Sequence, residues 1–175
     1  SEINDPNAVA VATSSKENQP NVRMVLLKGL SNKGFVFYTN FNSKKGNELK
    51  ENQKASMCFH WKSLRRQVRA IGKVEEVSSK EADDYFNSRP YKNRIGAWAS
   101  SQSKILDKRE TFLKKIEEFE QQFPDQKKVP RPPHWSGWRL LPEEIEFWLD
   151  GDGRIHERLN YKKNKGKWEK ELLYP

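Results

Sequence analysis

Residues 22–40 read VRMVLLKGLSNKGFVFYTN, and this stretch decides the fold. Its two apolar runs, residues 22–30 and 35–40, contain the β-branched and aromatic side chains that favour strands. Asn32-Lys33-Gly34 lies between them and supplies turn chemistry. The stretch therefore predicts a β-hairpin.

Further strands are predicted on both sides of this hairpin by the same criteria. They cover residues 8–13, 55–61, 67–77, 137–141, 145–149, 154–161 and 168–173. Gly151-Asp152-Gly153 and Asn164-Lys165-Gly166 mark turns between the last of them. Strands joined in this way, with a few helices, predict a mostly antiparallel, β-barrel-like α+β domain.

Three helices are predicted between the strands. A short one covers residues 43–49, and a second opens at Ser78, which forms a capping-box pattern with Glu81. The second must end near Arg89, because the following Pro90 disfavours helical backbone before it.

The third helix is predicted to start at Asp107 and to carry an apolar stripe. The stripe has three- and four-residue spacing, which places its members on one helical face that we interpret as a packing surface. Its members are Phe112, Ile116, Phe119 and Phe123. A Pro- and Lys-rich connector follows over residues 124–133.

The composition favours a folded protein with anionic partners. The 175 residues include six Trp, nine Phe and five Tyr, which are scarce in disordered chains, and the formal net charge is +9. Such an excess favours nucleic acid, an acidic membrane surface or small phosphorylated ligands. On charge alone, a solvated basic face is the simplest interpretation.

Several chemistries and locations are disfavoured. The one cysteine, Cys58, excludes an internal disulfide and is interpreted as a buried structural thiol. No signal peptide or membrane-spanning apolar stretch is visible, so we expect a cytoplasmic protein. The histidines have no metal-ligand spacing, and Gly-rich phosphate loops and nucleophile elbows are absent. No metal site is therefore expected.

Three basic clusters are candidate anion sites. Arg154, His156 and Arg158 alternate along a predicted strand and would share one face, with His156 able to exchange a proton near neutral pH. Water or a ligand could cover that face, and spacing does not decide between them. Tyr85 and Arg89 lie four residues apart on a helix, a pairing that suits a phosphate monoester but is also common on solvated helices.

The third cluster joins Arg23 and Lys28 with Lys44 and Lys45 at the start of the first helix. Lysines near a helix N-terminus hint at a bound anion, since the helix dipole alone disfavours them there. Arg23 and Lys28 lie five positions apart, and side chains alternate between the two faces of a strand. A straight strand would therefore direct them to opposite faces. Two separate phosphates or a bulge would resolve this tension.

Eight strings of the sequence, in order and at similar spacing from about Asp5 to the C-terminus, resemble the pyridoxamine 5'-phosphate oxidase family. The strings are Arg23-Met-Val-Leu-Leu-Lys28, Gly34-Phe-Val-Phe-Tyr-Thr-Asn40, Arg66-Gln-Val68, Tyr85-Phe-Asn-Ser-Arg-Pro90, Ile95-Gly-Ala-Trp98, Gln102-Ser103, Glu146-Phe-Trp148 and Arg154-Ile-His-Glu-Arg158. The resemblance implies one FMN-binding split β-barrel domain over residues 1–175, mainly β with flanking helices. It also implies a homodimer with FMN at the subunit interface, where strands from about residue 137 complete the site and the dimer contacts.

The resemblance also implies roles for individual residues. Residues implied to bind FMN are Arg23, Met24, Val25, Leu26, Leu27, Lys28, Tyr38, Thr39, Lys44, Lys45, Gln67, Gln102, Ser103, Trp148 and Arg158. Of these, Arg23, Lys45 and Ser103 would hold the FMN phosphate. Residues implied to bind substrate are Lys28, Tyr85, Arg89, Asn93, Arg154 and His156, and the last two are also the implied catalytic pair.

The implied reaction is oxidation of pyridoxamine or pyridoxine 5'-phosphate to pyridoxal 5'-phosphate. Oxygen is the implied acceptor and hydrogen peroxide the product, and neither nucleic acid nor a membrane is expected as a partner. Four positions depart from the family pattern, where Ser, Arg, Gln and Asp are usual: Asn93, Lys44, Leu149 and Glu157. The family usually has a few dozen residues before the position of Ser1, so we expect a trimmed or naturally short chain.

Three other functions stay open. A sister split-barrel flavoenzyme, such as a phenazine-pathway oxidase, would share the FMN site and act on another substrate. A flavin-binding protein without catalysis would fit the altered positions. A basic nucleic-acid-binding module would use Lys and Arg interleaved with aromatic residues, and would be colourless.

Overall fold

The computed structural model describes residues 5–175, which separate into two compact units. The first unit contains the described residues up to Phe37 together with Glu48–Glu75 and Trp138–Pro175. The second contains Tyr38–Asn47 and Glu76–Gly137. One domain over residues 1–175 stays a prediction, and residues 1–4 lie outside the described part.

The secondary structure is mainly β. Strands of residues 5–175 are β1 Ala8–Ser14, β2 Pro20–Leu26, β3 Gly29–Ser31, β4 Gly34–Asn40, β5 Lys54–Trp61, β6 Arg66–Glu76, β7 Trp135–Leu149, β8 Glu157–Asn164 and β9 Lys167–Leu173. Helices are α1 Lys44–Glu51, α2 Ser79–Ser88, α3 Tyr91–Ala99 and α4 Arg109–Gln122. None of these helices is long and apolar enough to cross a membrane.

The strands form one sheet in the order β2-β1-β5-β6-β7-β4-β3, and β8 pairs with β7 and β9. The pairs β1–β2, β1–β5, β3–β4, β5–β6, β7–β8 and β8–β9 are antiparallel. The hairpin predicted from residues 22–40 is confirmed, since Leu30 of β3 lies opposite Phe35 of β4.

The core of the first unit follows the two-residue period of its strands. In β1, Val9 and Val11 are fully buried while Ala10 between them is half-buried. Met57 of β5 and Ala70 of β6 are likewise fully buried. Alternate side chains of a strand point to opposite faces, so each strand contributes one apolar face to this core.

The strand predicted over residues 22–30 is interrupted. β2 ends at Leu26, the Leu27 amide donates to the carbonyl of Asn7, and the Lys28 amide donates to the carbonyl of Val36, both at 2.8 Å. The backbone thus changes hydrogen-bonding partners between Leu27 and Lys28. Because of this break, Arg23 and Lys28 do not share a strand. The expectation that their side chains point to opposite faces of one strand therefore no longer applies.

The second unit is held by an aromatic core. Phe86, Ile95, Val129 and Trp135 are buried together, and the predicted stripe residues Ile116, Phe119 and Phe123 pack against them. The stripe is therefore a packing surface, as predicted. The helix α3 was not predicted. Burial of Ile95 and Ala99 stabilises it, although Gly96 has low helix propensity.

Two element boundaries also differ from the prediction. α4 starts at Arg109 rather than Asp107, whose carboxylate accepts from the Thr111 hydroxyl at 3.1 Å; this hydrogen bond lowers the pKa of Asp107. β7 is one strand of 15 residues where two were predicted. It runs through Pro142, whose fixed φ is compatible with extended backbone.

Ser78 caps α2 as the capping-box pattern predicts. Its hydroxyl accepts from the Glu81 amide at 3.2 Å. Replacing Ser78 with alanine is expected to lower the free energy of unfolding by about 1 kcal/mol, because one amide at the helix start loses its acceptor. Urea unfolding at fixed protein concentration measures the change. Ser79→Ala, one residue inside the helix, is the control, and an equal loss there would contradict the capping role.

Candidate functional site

A buried lysine is the centre of a polar cluster in the second unit. The Lys45 side chain is 8 % exposed, and its ammonium donates to Thr39 Oγ1 at 2.7 Å and Gln102 Oε1 at 2.8 Å. The Ser43 hydroxyl lies at 3.3 Å. The sequence predicted three of these four residues as FMN ligands, and the fold brings Thr39, Lys45 and Gln102 together.

The neighbours of this cluster are solvent-accessible. Ser103, adjacent to Gln102, is exposed and has a φ of +70°, a left-handed conformation uncommon outside glycine. Lys44 is exposed at the first position of α1. The cluster therefore combines a buried cation with exposed donors at its edge, an arrangement that fits a phosphate group.

Arg23, predicted to hold the same phosphate, belongs to the first unit and has a carboxylate partner there. Its guanidinium donates to Thr13 Oγ1 at 2.6 Å and to the Val11 carbonyl at 3.0 Å. It also forms a 3.4 Å ion pair with Glu48, whose side chain is 5 % exposed. Glu48 thus balances the charge of Arg23. This partner was not predicted from the sequence.

A large cavity of about 1110 Å³ lies within the first unit. Five of the predicted site residues line it: Leu27, Gln67, Trp148, His156 and Arg158. Leu149 and Glu157, two of the positions that depart from the family pattern, also line it and lie opposite each other in the β7–β8 pair. The wall is predominantly apolar, with a few convergent polar groups, as is typical of a cofactor or small-molecule site.

His156 is oriented inside this cavity by two contacts at Nδ1. Nδ1 accepts from the Gly151 amide at 3.2 Å in one tautomer, and in the form that carries a proton on Nδ1 it donates to Asp150 Oδ1 at 3.0 Å. The Trp148 ring contacts the imidazole at a tilt of 44°, with ring centroids 4.7 Å apart. Because both polar contacts use Nδ1, Nε2 is the nitrogen through which His156 can exchange a proton with a ligand.

Arg158 is fixed by a buried carboxylate. Glu146, 3 % exposed, accepts from Arg158 Nε at 3.1 Å and Nη2 at 3.0 Å, and also from Arg69 Nη2. The hydrogen bonds from Arg158 are the largest cause that lowers the pKa of Glu146, and those from Arg69 add to it. Two guanidinium groups around one carboxylate leave this triad with one net positive charge, and Arg158 is its member at the cavity wall.

The predicted strand over residues 154–161 is wrong in its first half. Residues 152–154 form a 3-10 turn in which Gly153 and Arg154 both have φ near +64°, and β8 starts only at Glu157. The turn predicted at residues 151–153 therefore extends further than expected. Arg154 is exposed and is not among the described residues lining the cavity, and His156 precedes β8, so the predicted shared strand face is wrong; His156 and Arg158 nevertheless line the same cavity.

The predicted phosphate pair lies at the end of α2. Tyr85 stacks on Tyr38 with centroids 4.0 Å apart, and Arg89 follows the last residue of the helix. Arg89 Nη1 is buried and has no hydrogen-bond partner within residues 5–175. Burial lowers the pKa of Arg89. A buried, unsatisfied donor on a cation fits an anionic ligand that supplies the missing acceptor.

The remaining predicted residues are at the surface or beside it. Met24, Leu26, Lys28 and Asn93 are exposed, whereas Val25 is half-buried. Glu146, Asp150 and Trp135 were missed as functional candidates. Glu146 is the first residue of the string Glu146-Phe-Trp148, and the available signal was a carboxylate placed between the apolar Ile145 and Phe147.

Two family models match consecutive parts of the chain. Residues 1–123 match the model described as pyridoxamine 5'-phosphate oxidase. Residues 135–175 match the model described as the pyridoxine 5'-phosphate oxidase C-terminal dimerisation region.

Curated proteins are similar over 99–100 % of this chain. A pyridoxine/pyridoxamine 5'-phosphate oxidase from Pelagibacter ubique (strain HTCC1062) is 61 % identical over 99 % of this chain and 84 % of its own length. A protein of the same name from Agrobacterium fabrum (strain C58) is 54 % identical over 100 % of this chain and 85 % of its own.

Solved structures share the fold. PhzG from Burkholderia lata 383, in complex with tetrahydrophenazine-1-carboxylic acid, aligns with a TM-score of 0.92 and 30 % identity over 98 % of this chain and 83 % of that one. A pyridoxamine 5'-phosphate oxidase-related, FMN binding protein from Nostoc punctiforme PCC 73102 aligns with a TM-score of 0.79 and 17 % identity over 99 % and 90 %. The predicted α+β split-barrel class, with mostly antiparallel strands, is confirmed.

Proposed function

The chain belongs to the pyridoxamine 5'-phosphate oxidase family, and we propose that it oxidises pyridoxamine 5'-phosphate, pyridoxine 5'-phosphate or both to pyridoxal 5'-phosphate. The observation that carries the proposal is the cavity that brings Gln67, Trp148, His156 and Arg158 together. When bound, FMN would supply the redox chemistry of this two-electron oxidation, with oxygen as the final acceptor and hydrogen peroxide as the product.

The residues present fit FMN. Lys45, Thr39 and Gln102 offer a buried cation with exchangeable hydrogen bonds, and Ser103 adds an exposed hydroxyl beside them, a set that would hold the FMN phosphate. Gln67, Trp148 and Arg158 would border the ring system, with the indole as an apolar wall and the guanidinium as a fixed positive charge.

The substrate would be held by its phosphate and oriented by the histidine. Tyr85 and Arg89 offer a phenol and a buried donor, which suit a phosphate monoester. His156 would hold or move a proton at Nε2, while Asp150 fixes its ring through Nδ1. Lys28, Asn93 and Arg154 would complete substrate binding from exposed positions.

The assembly we propose is a homodimer with FMN at the subunit interface. The match of residues 135–175 to a dimerisation region supports the homodimer. Met24 and Leu26, predicted to border FMN, are 63 % and 40 % exposed in the single chain. Large apolar side chains at such exposure support a strand that a second subunit covers.

The proposed function is tested by the colour of the purified protein. We expect a yellow protein whose flavin absorbance bleaches when pyridoxine 5'-phosphate is added without oxygen and returns when air is admitted. Folded protein that neither retains nor takes up FMN would contradict the proposal. Colourless protein with salt-sensitive binding to oligonucleotides would instead indicate a nucleic-acid-binding module.

A related flavin oxidase with another substrate is the second candidate. The likeness to the Burkholderia lata protein, bound to a tetrahydrophenazine acid, favours it. A substrate panel monitored for peroxide separates the two, because only the first candidate consumes the B6 phosphates. A yellow protein that turns over no substrate of the panel would indicate flavin binding without catalysis.

His156→Ala is expected to lower turnover on the order of tenfold while FMN stays bound, because the cavity loses its proton-exchanging side chain. Arg154→Ala tests the other implied catalytic residue in the same way. Steady-state peroxide production measures turnover, and the flavin spectrum after gel filtration measures retention. Unchanged rates in both variants would remove the catalytic assignment.

A further inference from the structure

Trp135 packs its indole against Arg89, a half-buried arginine of the second unit. It is the first residue of β7 and is 6 % exposed. The guanidinium carbon of Arg89 lies 4.8 Å from the centroid of its ring, within the range of a cation–π contact. Phe86 is a second aromatic neighbour of Arg89, at 5.8 Å.

The same indole belongs to a stack of parallel rings. Tyr38 lies nearly parallel to Trp135, with an interplanar angle of 8° and centroids 5.3 Å apart. Tyr85 lies nearly parallel to both, at 4.0 Å from Tyr38 and 6.1 Å from Trp135. One aromatic stack therefore contacts Arg89 and contains the Tyr85 phenol, the two groups assigned to the substrate phosphate.

The backbone of Trp135 is tied to the helix that carries those two groups. Arg131 Nη1 donates to the Trp135 carbonyl at 2.7 Å, and Arg131 Nε donates to Asp83 Oδ1 at 2.6 Å. Asp83 lies in α2, two residues before Tyr85. This bridge fixes the start of β7 against α2, so the indole holds its place beside Arg89.

We propose that Trp135 is a positioning residue for substrate binding, whose indole face holds the Arg89 guanidinium so that its buried Nη1–H meets the substrate phosphate. The inference rests on the proposed function, since it assigns that phosphate to Arg89. An aromatic face suits this task because it stabilises the cation without a carboxylate that would cancel its charge. Arg89 then keeps a full positive charge for a phosphate dianion.

Removing the indole is expected to weaken phosphate recognition and to leave the chemistry intact. Trp135→Leu should raise the KM for pyridoxine 5'-phosphate about tenfold, with kcat within about twofold, since a desolvated cation–π contact accounts for a factor of that order. Trp135→Phe, which keeps a ring, should restore most of the loss. Calorimetric titration of the FMN-bound proteins with inorganic phosphate measures the affinity without turnover. The unsubstituted protein should bind most tightly, Trp135→Phe less tightly and Trp135→Leu least tightly.

A double-mutant cycle with Arg89→Ala decides whether Trp135 acts through the arginine. If it does, adding Trp135→Leu to Arg89→Ala changes the KM by less than about twofold, because the indole has no guanidinium left to hold. Additive effects on KM would overturn the proposal. If Trp135→Leu does not fold, the cycle is run with Trp135→Phe, whose smaller effect must also vanish in the Arg89→Ala background.

Trp98→Leu is the matched control, because Trp98 packs against the same aromatic core and donates to the Pro130 carbonyl rather than contacting Arg89. It should lower stability while leaving the KM unchanged. An equal rise in KM for Trp98→Leu would overturn the proposal by showing a general packing effect. Failure of the proposed function is recognised separately, because the unsubstituted protein would then not oxidise pyridoxine 5'-phosphate.

Discussion

Lys45→Met is expected to weaken FMN binding about 100-fold, so that the variant loses its flavin during purification. The side chain that is replaced places a buried ammonium against Thr39 and Gln102. Charge-assisted hydrogen bonds to a phosphate each contribute about 1.5–3 kcal/mol, and methionine fills a similar volume without the charge. Fluorescence quenching during titration of FMN into the apoprotein measures the affinity.

Lys44→Met is the matched control for this prediction. It removes the same formal charge from the adjacent residue, but Lys44 is exposed and its charge is screened by solvent. We expect less than about a fivefold loss of affinity for this variant. Equal losses for both variants would indicate a diffuse electrostatic effect, and full retention of FMN by Lys45→Met would place the phosphate elsewhere.

Much of the fold could be predicted because its signals are local. The turn at Asn32-Lys33-Gly34, the alternation of Val9 and Val11, and the Ser78 cap all depend on residues near in sequence. The prediction failed where distant packing decides the structure. Ile95 and Ala99 stabilise α3 by burial despite Gly96, and the short apolar repeat Tyr91, Ile95, Trp98 indicates this helix only weakly.

The candidate site, like the fold, could be predicted only in part. Lys45, Gln67, Trp148 and His156 were identified through resemblance to a family, and the fold places Lys45 in a polar cluster and the other three in a cavity. The residues that support them were missed. Glu146 becomes significant only when β7, β6 and β8 place it between Arg69 and Arg158, residues 77 and 12 positions away.

The substitution Glu146→Gln tests whether this carboxylate holds Arg69 and Arg158 in place. The carboxylate is almost fully buried and accepts from two guanidinium groups, so its removal leaves two cations facing each other without an anion. Loss of one partner of a buried ion pair costs 3–5 kcal/mol, and the partial exposure of both arginines reduces this to about 2–3 kcal/mol. Urea unfolding at neutral pH and fixed protein concentration measures the loss.

The stability that Glu146 contributes is expected to depend on pH, and the shift of its pKa gives the direction. The pKa of Glu146 in the folded protein is lowered from its ordinary value of 4.5 by its hydrogen bonds to Arg158 and Arg69. The stabilisation is therefore fully present above about pH 4.5 and is lost as the pH falls through the lower, folded-state pKa. The stability difference between the unsubstituted protein and Glu146→Gln should shrink as the medium is acidified below pH 4.5.

Glu144→Gln provides the comparison, because Glu144 lies two residues earlier on the same strand, where Lys162 is opposite. We expect a change within about 0.5 kcal/mol at neutral pH, as for most surface substitutions. Glu146→Gln should also lower turnover, since Arg158 would no longer be held at the cavity wall. A Glu146→Gln protein as stable as Glu144→Gln at every pH would show that the carboxylate does not fix Arg158.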